Sequence, residues 1–198
     1  MPLDFRFWRT FVYAAVAILV FCGIATMREP GRGFTKILHF GAALADQRLP
    51  ALKNLPLAVT SDTGYDGQYY AQLAVDPRVR SPEVQAAMDD ARYRGQRILL
   101  PAIAHVLGCG NPWSTLQIYA LANVAFWCVF AWLLHRLTAS QGPAGLLMWF
   151  ALVLSLAVLE SMHLALTDLP AAVFLVGAVA CVQRDGFWRA GLLSVWPA

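Results

Sequence analysis

Charge is scarce in this chain, and several patterns that mark soluble functions are missing. Only 14% of the 198 residues are charged, and no lysine or arginine run occurs, which leaves a nucleic-acid-binding protein without its electrostatic footprint. The four cysteines form no C-x-x-C pair, so their spacing disfavours a disulfide or structural metal role. What dominates is apolar content, at 59% of the residues, and this favours the membrane class.

Four apolar runs are candidates for membrane spans, each close to the ~20 residues that a ~30 Å hydrocarbon core requires. The first run follows Arg6 and Arg9 and lacks a small-x-small cleavage pattern, so it predicts an uncleaved span. The fold class is therefore all-α: a polytopic helical membrane protein with a single membrane domain over residues 1–198. The predicted spans are residues 10–27, 113–134, 143–159 and 164–182, and residues 190–198 resemble the start of a further, truncated span.

Residues 28–112 form a long predicted outer loop with short amphipathic helices. Residues 98–108 at 1.5 Å rise cover only about half of the hydrocarbon core, so we interpret them as a short helix that dips into the outer leaflet. The alternative, that they span, stays open. With four spans and the N-terminus inside, Arg136 is cytoplasmic and Asp168 is outside, as the positive-inside rule requires.

Helical periodicity and capping signals predict three helices inside this loop. Apolar residues recur at helical spacing over residues 34–45, which predicts an amphipathic helix on the membrane surface. Thr60, Ser61 and Asp62 offer caps for a second helix. Ser81 and Pro82 predict the start of a third, with serine as cap and proline at the first position. On the second helix one face is predicted to carry Asp66, Tyr69, Tyr70 and Leu73.

An acidic, tyrosine-rich cluster at residues 61–70 is the first candidate for chemistry. Asp66, next to Gly67, is either a solvated loop carboxylate or a general base held near the membrane surface. Asp62 suits a helix cap better than a catalyst, and it is also a candidate substrate contact. In the functional reading, neighbouring side chains form a wall that stacks against a sugar or hydrogen-bonds to it. That wall consists of Tyr65, Tyr69 and Tyr70, and Gln68 is a further candidate substrate contact.

A basic pair and a second acidic group complete the candidates. Arg94 and Arg97 precede the membrane-dipping segment, where arginines either snorkel to lipid headgroups or clamp a lipid-linked phosphate. Glu160 and His163 form a single Glu-x-x-His pair, which is a weak metal signal without a second copy, and His163 is also a candidate substrate contact. Asp168 lies inside an otherwise apolar stretch, where a charge is costly and therefore indicates function.

In combination, these motifs resemble the N-terminal part of bacterial C-type (GT-C) glycosyltransferases. The resemblance rests on Tyr65-Asp66-Gly67-Gln68-Tyr69-Tyr70, on Arg97-Ile-Leu-Leu-Pro101 and on Thr167-Asp168-Leu-Pro170. Members of that family are integral membrane enzymes that use polyprenyl-phosphate sugars on the non-cytoplasmic face. The resemblance implies a multi-pass protein of the inner membrane with a periplasmic outer loop. It also implies that Asp66 is the base or the acceptor-positioning residue, and that Asp168 belongs to a second outer acidic site.

The reaction implied by the resemblance is an inverting displacement at the anomeric carbon. Asp66 would accept the proton of an acceptor hydroxyl, and the lipid phosphate would depart with its charge stabilised by Arg94, Arg97 or a divalent metal. The sequence has no nucleotide-binding glycine loop, which is consistent with a lipid-linked donor. The alternatives are a non-enzymatic membrane protein whose outer loop binds a partner or lipid, and a transporter. A transporter is disfavoured because it would place polar residues in the middle of its spans, and the first three runs have almost none there.

Overall fold

A computed structural model describes residues 5–182 of the chain and shows a mostly helical fold, as predicted. The predicted tail at residues 190–198 lies outside the described residues. The α-helices are α1 (Phe5–Ala25), α2 (Gly67–Val75), α3 (Pro82–Ala86), α4 (Ala91–Gly95), α5 (Leu99–Leu107), α6 (Pro112–Thr138), α7 (Gly142–Val153), α8 (Leu156–His163) and α9 (Asp168–Val182). Short 3₁₀ helices cover Thr35–Leu38, Ala42–Gln47, Pro50–Leu52 and Ala139–Gln141, and two short strands, β1 (Phe40–Gly41) and β2 (Val59–Thr60), pair in parallel.

The prediction of an amphipathic helix over residues 34–45 is wrong. A 3₁₀ turn ends at His39, whose left-handed backbone (φ 50°) stops the helix, and the chain then enters β1. Ile37 and Leu38 are 1% and 0% exposed, so the apolar residues pack into a protein core. Gly41 is required there because a Cβ would collide with the backbone of Thr63. Tertiary packing has overridden a helical period.

The capping signals predicted one helix start correctly and misplaced another. Pro82 is the first residue of α3, and the Ser81 hydroxyl accepts a hydrogen bond from the Val84 amide at 3.3 Å, as predicted. The helix expected from Asp62 begins later, at Gly67. Asp62 instead accepts a hydrogen bond from the Gly64 amide at 2.8 Å, which closes a local turn.

Helix α6 runs through two hydrophobic cores. Its N-terminal half packs with α2 and α5 in a core to which Leu116 and Tyr119 contribute, both 0% exposed. Its C-terminal half packs with α1, α7, α8 and α9, and Trp127 lies at this second core. Helix α6 therefore fixes the segment between α1 and α6 relative to α1, α7, α8 and α9, which we call the terminal helices.

Among residues 5–182, two helical segments are long and apolar enough to cross a membrane, judged by length and composition. They are Phe7–Ala25 and Pro112–His163, and the second has 52 residues from α6 to α8. The helix predicted over residues 143–159 is interrupted, because Ser155 adopts an extended backbone (ψ 146°) between α7 and α8. The last predicted run becomes helical only at Asp168, whose carboxylate then lies in the first turn of α9. Residues 99–107 form a short helix, as predicted.

Substitution of Gly67 tests whether α2 packs against the connection between α8 and α9. Gly67 begins α2, and a Cβ there would collide with the Leu164 carbonyl oxygen in the connection between α8 and α9. We expect Gly67→Ala to destabilise the protein by about 1–3 kcal/mol, because backbone cannot move away cheaply. The measurement is thermal unfolding in detergent.

The matched control is Gly23→Ala in α1, where a new Cβ meets nothing within 4 Å. This substitution is expected to be neutral or stabilising by up to about 1 kcal/mol, because alanine favours helix over glycine. Equal melting temperatures for the two variants would contradict the predicted packing of α2 on the α8–α9 connection.

Candidate active site

The connection between α8 and α9 is held in place by polar side chains of α6. The Tyr119 hydroxyl donates to the Ala165 carbonyl at 2.8 Å. The Asn123 side-chain amide donates to the carbonyls of Ser161 and Leu166, both at 2.7 Å. Since Gly67 also lies against this connection, the N-terminus of α2 meets the polypeptide that leads into α9. The two predicted acidic groups are thus brought to one region of the molecule.

Asp66 lies immediately before α2 and is bound by Arg94 of α4. The two guanidinium nitrogens Nη1 and Nη2 donate to the two carboxylate oxygens of Asp66, at 2.6 and 2.9 Å. The Asp66 side chain is 45% exposed, so the carboxylate is fixed on one side and open on the other. Each oxygen retains lone pairs that can accept a further hydrogen bond.

Arg94 also donates to a second carboxylate, that of Asp89. Its Nε and Nη2 contact the Asp89 oxygens at 3.1 and 2.7 Å. Burial opposes the charge of this guanidinium, but the hydrogen bonds to Asp89 and Asp66 raise the pKa of Arg94 above its ordinary value. The rings of Tyr69, Tyr70 and Tyr93 lie 4.9, 5.5 and 5.4 Å from the guanidinium carbon. Arg94 is therefore a charged group inside the protein.

This environment changes the expectation for Arg94. Its side chain is only 7% exposed, and four of its five N–H groups donate to carboxylates of the same chain. In this conformation it is directed neither to lipid headgroups nor to a substrate phosphate. Arg94 organises the site from within.

Arg97 is held much more loosely. Its Nη1 lies 3.5 Å from both the Thr167 hydroxyl and an Asp168 carboxylate oxygen, and both contacts are long. The side chain is 35% exposed, and its guanidinium carbon lies 5.8 Å from the Tyr93 ring. Tyr93 therefore lies beside both arginines.

A cavity of about 80 Å³ lies beside Arg97, between the start of α5 and the start of α9. Gln96, Arg97, Thr167 and Asp168 supply its polar part. The remaining wall is apolar and consists of Leu99, Leu100, Phe126, Pro170, Ala171 and Phe174. The cavity thus combines a cation with a hydrocarbon-like wall.

The predicted tyrosine wall is divided in the structure. Tyr65 is 49% exposed, whereas Tyr70 is buried and Tyr69 faces Arg94. Gln68 is 2% exposed, and its amide binds the Gly41 N–H at 3.1 Å and the Thr63 carbonyl at 2.8 Å. Gln68 therefore holds the preceding loop in place, and Tyr65 is the wall residue most open to a ligand.

His163, at the end of α8, packs against a residue that the sequence did not single out. Its ring centroid lies 5.2 Å from that of His39. Burial lowers the pKa of His39, and the nearby charge of His163 lowers it further. The charges of Asp62 and Glu160 oppose this by raising the pKa. Hydrogen bonds from Thr60 and from the Gly64 amide lower the pKa of Asp62.

The described residues offer no ready donor set for the divalent metal that the resemblance allows. Within residues 5–182, no group of three or more His, Cys, Asp or Glu side chains is placed to hold a metal ion. Glu160 and His163 share α8, but the His163 ring packs against His39.

Asp89 and Tyr93 are the site residues that sequence reasoning missed. A local signal for Asp89 exists: Asp90 caps α4 by accepting from the Tyr93 amide at 2.9 Å, which places Asp89 one position before a cap. An acid at that point, five residues before an arginine, can fold back onto it. Gly67 and His39 act through contacts distant in sequence, for which a single sequence carries no signal.

Acid should weaken this site in a defined pH window. Hydrogen bonds from Arg94 lower the pKa of Asp89, with a smaller contribution from the Asp90 amide, while burial opposes the shift. A lowered carboxyl pKa stabilises the folded state above the unfolded value of about 3.9 and loses that effect as the pH falls through the folded value. We expect the melting temperature to fall between about pH 5 and pH 2.

The variant Asp89→Asn should show a flatter acid limb and a loss of about 1–3 kcal/mol at pH 7. Asp46→Asn, at an exposed position in a 3₁₀ turn, is the matched control and should follow the wild type. Identical pH profiles for wild type and Asp89→Asn would show that Asp89 does not stabilise the fold.

Comparison of the chain with protein-family models, with curated proteins and with solved structures finds no match. The functional conclusion therefore depends on the geometry around Asp66 and Arg97 and on the motif resemblance.

Proposed function

We propose that this protein is a membrane glycosyltransferase that moves a sugar from a polyprenyl-phosphate donor to an acceptor hydroxyl on the non-cytoplasmic face. The observation that carries the proposal is the pairing of two features in one region. One is Asp66, a carboxylate fixed on one side and open on the other. The other is Arg97, a loosely held cation at an apolar cavity.

The exposed apolar surface of the terminal helices supports a membrane location. Large apolar side chains point outward on α1, α7, α8 and α9, an arrangement that is costly in water. Examples are Leu19 (70% exposed), Leu147 (71%), Leu156 (72%) and Leu175 (67%). In the proposed four-span arrangement, α1, α6, the α7–α8 pair and α9 lie in the bilayer, and the segment between α1 and α6 lies outside.

The distribution of charge supports the proposed orientation. Arg9 donates to the Ala139 carbonyl at 3.0 Å, so the basic start of α1 lies next to the end of α6, where Arg136 is found. The α8–α9 connection meets α6 at Tyr119 and Asn123, more than ten residues and thus about 20 Å from that basic end. With the basic end in the cytoplasm, Asp66 and Asp168 face outward.

The cavity at Arg97 suits the two parts of the proposed donor. A polyprenyl phosphate joins an anion to a hydrocarbon chain, and the cavity joins a guanidinium to walls that include Leu99, Phe126 and Phe174. Both contacts of Arg97 are weak at 3.5 Å, so exchanging them for charge-assisted hydrogen bonds to phosphate is favourable. Thr167 adds a hydroxyl at the same point.

The proposed reaction is a direct displacement at the sugar's anomeric carbon. The acceptor hydroxyl donates a hydrogen bond to Asp66 and passes its proton to this carboxylate as its oxygen attacks. The bond between the anomeric carbon and the phosphate oxygen breaks, and the polyprenyl phosphate leaves with inversion. Arg97 stabilises the negative charge that develops on the leaving phosphate.

Two variants separate chemistry from donor binding in the protein reconstituted in lipid nanodiscs. The donors to be tested are polyprenyl-phosphate mannose, glucose and arabinose, and the readout is release of polyprenyl phosphate. We expect Asp66→Asn to lower turnover by about 100-fold or more while decaprenyl phosphate binds as before, because only the base is lost. Arg97→Ala should weaken decaprenyl phosphate binding by about tenfold.

Arg92→Ala is the matched control for the loss of charge, because Arg92 is exposed on α4 and outside the cavity. Turnover that survives Asp66→Asn would refute the proposed base. Binding of decaprenyl phosphate without turnover of any donor would favour the non-enzymatic alternative, in which the segment between α1 and α6 binds a lipid or partner.

A further inference from the structure

The two carboxylates that Arg94 binds differ in how they are held. Asp89 Oδ1 accepts a hydrogen bond from the Asp90 amide at 2.8 Å in addition to its contacts with Arg94. Asp66 has Arg94 as its ion-pair partner and no second hydrogen-bond donor among the described residues. One carboxylate is therefore anchored to backbone, and the other depends on the guanidinium.

The anchor is fixed to the same helix that follows Asp66. Gln72 of α2 donates to the Ala87 carbonyl at 3.1 Å and accepts from the Leu49 amide at 3.0 Å, and it is 3% exposed. Ala87 precedes Asp89 by two residues, so the position of Asp89 is set relative to α2. A closed chain of contacts thus runs from α2 through Asp89 and Arg94 back to Asp66.

The two carboxylates bind different edges of the Arg94 guanidinium. Asp89 binds the Nε–Nη2 edge and Asp66 binds the Nη1–Nη2 edge, so fixing the first edge also fixes the direction of the second. The rings of Tyr69, Tyr70 and Tyr93 also surround the guanidinium carbon, at 4.9 to 5.5 Å. Asp89 adds a directional constraint at the Nε–Nη2 edge.

We infer that Asp89 is a positioning residue, which acts through Arg94 to orient the Asp66 carboxylate toward the acceptor hydroxyl. The inference rests on the proposed function, and it adds a residue outside the resemblance. Asp89 also keeps the group of one guanidinium and two carboxylates net negative, so Arg94 does not neutralise Asp66 alone. Without Asp89 the base would be both less well aligned and more strongly paired to its cation.

The kinetic test uses the wild type, Asp89→Asn and Asp89→Glu in nanodiscs with whichever donor the wild type turns over. Asp89→Asn should lower kcat by about ten- to hundredfold with KM within twofold, because misalignment affects the reacting geometry more than binding. Asp89→Glu should restore part of kcat, and Asp46→Asn should behave as wild type.

A second measurement decides the inference without any activity. With ¹⁵N-arginine labelling of the full chain in detergent, the Arg94 side-chain signals are assigned by their loss in Arg94→Lys. In Asp66→Asn the Arg94 Nε–H should stay protected from exchange, because its partner is Asp89. In Asp89→Asn both the Nε–H and the Nη signals should lose protection.

The outcomes separate this inference from the proposed function. If the wild type turns over donor, Asp66→Asn is inactive and Asp89→Asn is fully active, the inference is refuted and the function stands. If no donor is consumed, the function fails and the ¹⁵N signals alone decide the linkage. Wild-type protection of the Nη signals in Asp89→Asn would overturn it in either case.

Discussion

The burial of one positive charge, the guanidinium of Arg94, is the constraint around which the site is built. A buried cation is tolerated only when its hydrogen bonds are satisfied and its charge is offset. Here two carboxylates and three aromatic rings do both. Because Asp66 and Asp89 come from different elements, the need to satisfy Arg94 joins α2 to α4. A requirement of folding thereby produces an oriented, partly exposed carboxylate.

Helix α6 extends this arrangement to the terminal helices. Its apolar side chains contribute to both hydrophobic cores, and its polar side chains Tyr119 and Asn123 bind backbone carbonyls around the α8–α9 connection. Gly67 allows that connection to touch the start of α2. Asp168 and Thr167 therefore arrive beside Arg97, and an apolar cavity forms between them. Helix α6 thus links the packing of α2 and α5 to the position of the α8–α9 connection.

The sequence predicted what depends on local chemistry. Ser81 and Pro82 gave the start of α3, and a long apolar run gave α6. Prediction failed over residues 34–45, where the apolar residues of the first 3₁₀ helix are buried in a core that only tertiary contacts explain and the second 3₁₀ helix is largely exposed. It identified Asp66 and Arg94 separately but not their ion pair, since residues 28 apart carry no pairing signal in one sequence. Asp89 was missed although its position before a helix cap offered a local indication.

The central claim is that Asp66, Arg97 and Asp168 form one site on the outer face of a membrane. Cysteine labelling with an impermeant maleimide in intact cells tests it most directly, using Asp168→Cys and Arg136→Cys in a cysteine-free background. The account predicts that position 168 is labelled at once and that position 136 is labelled only after permeabilisation. Labelling at 136 with protection at 168 would contradict it, since α5 would then cross the bilayer and Asp168 would face the cytoplasm.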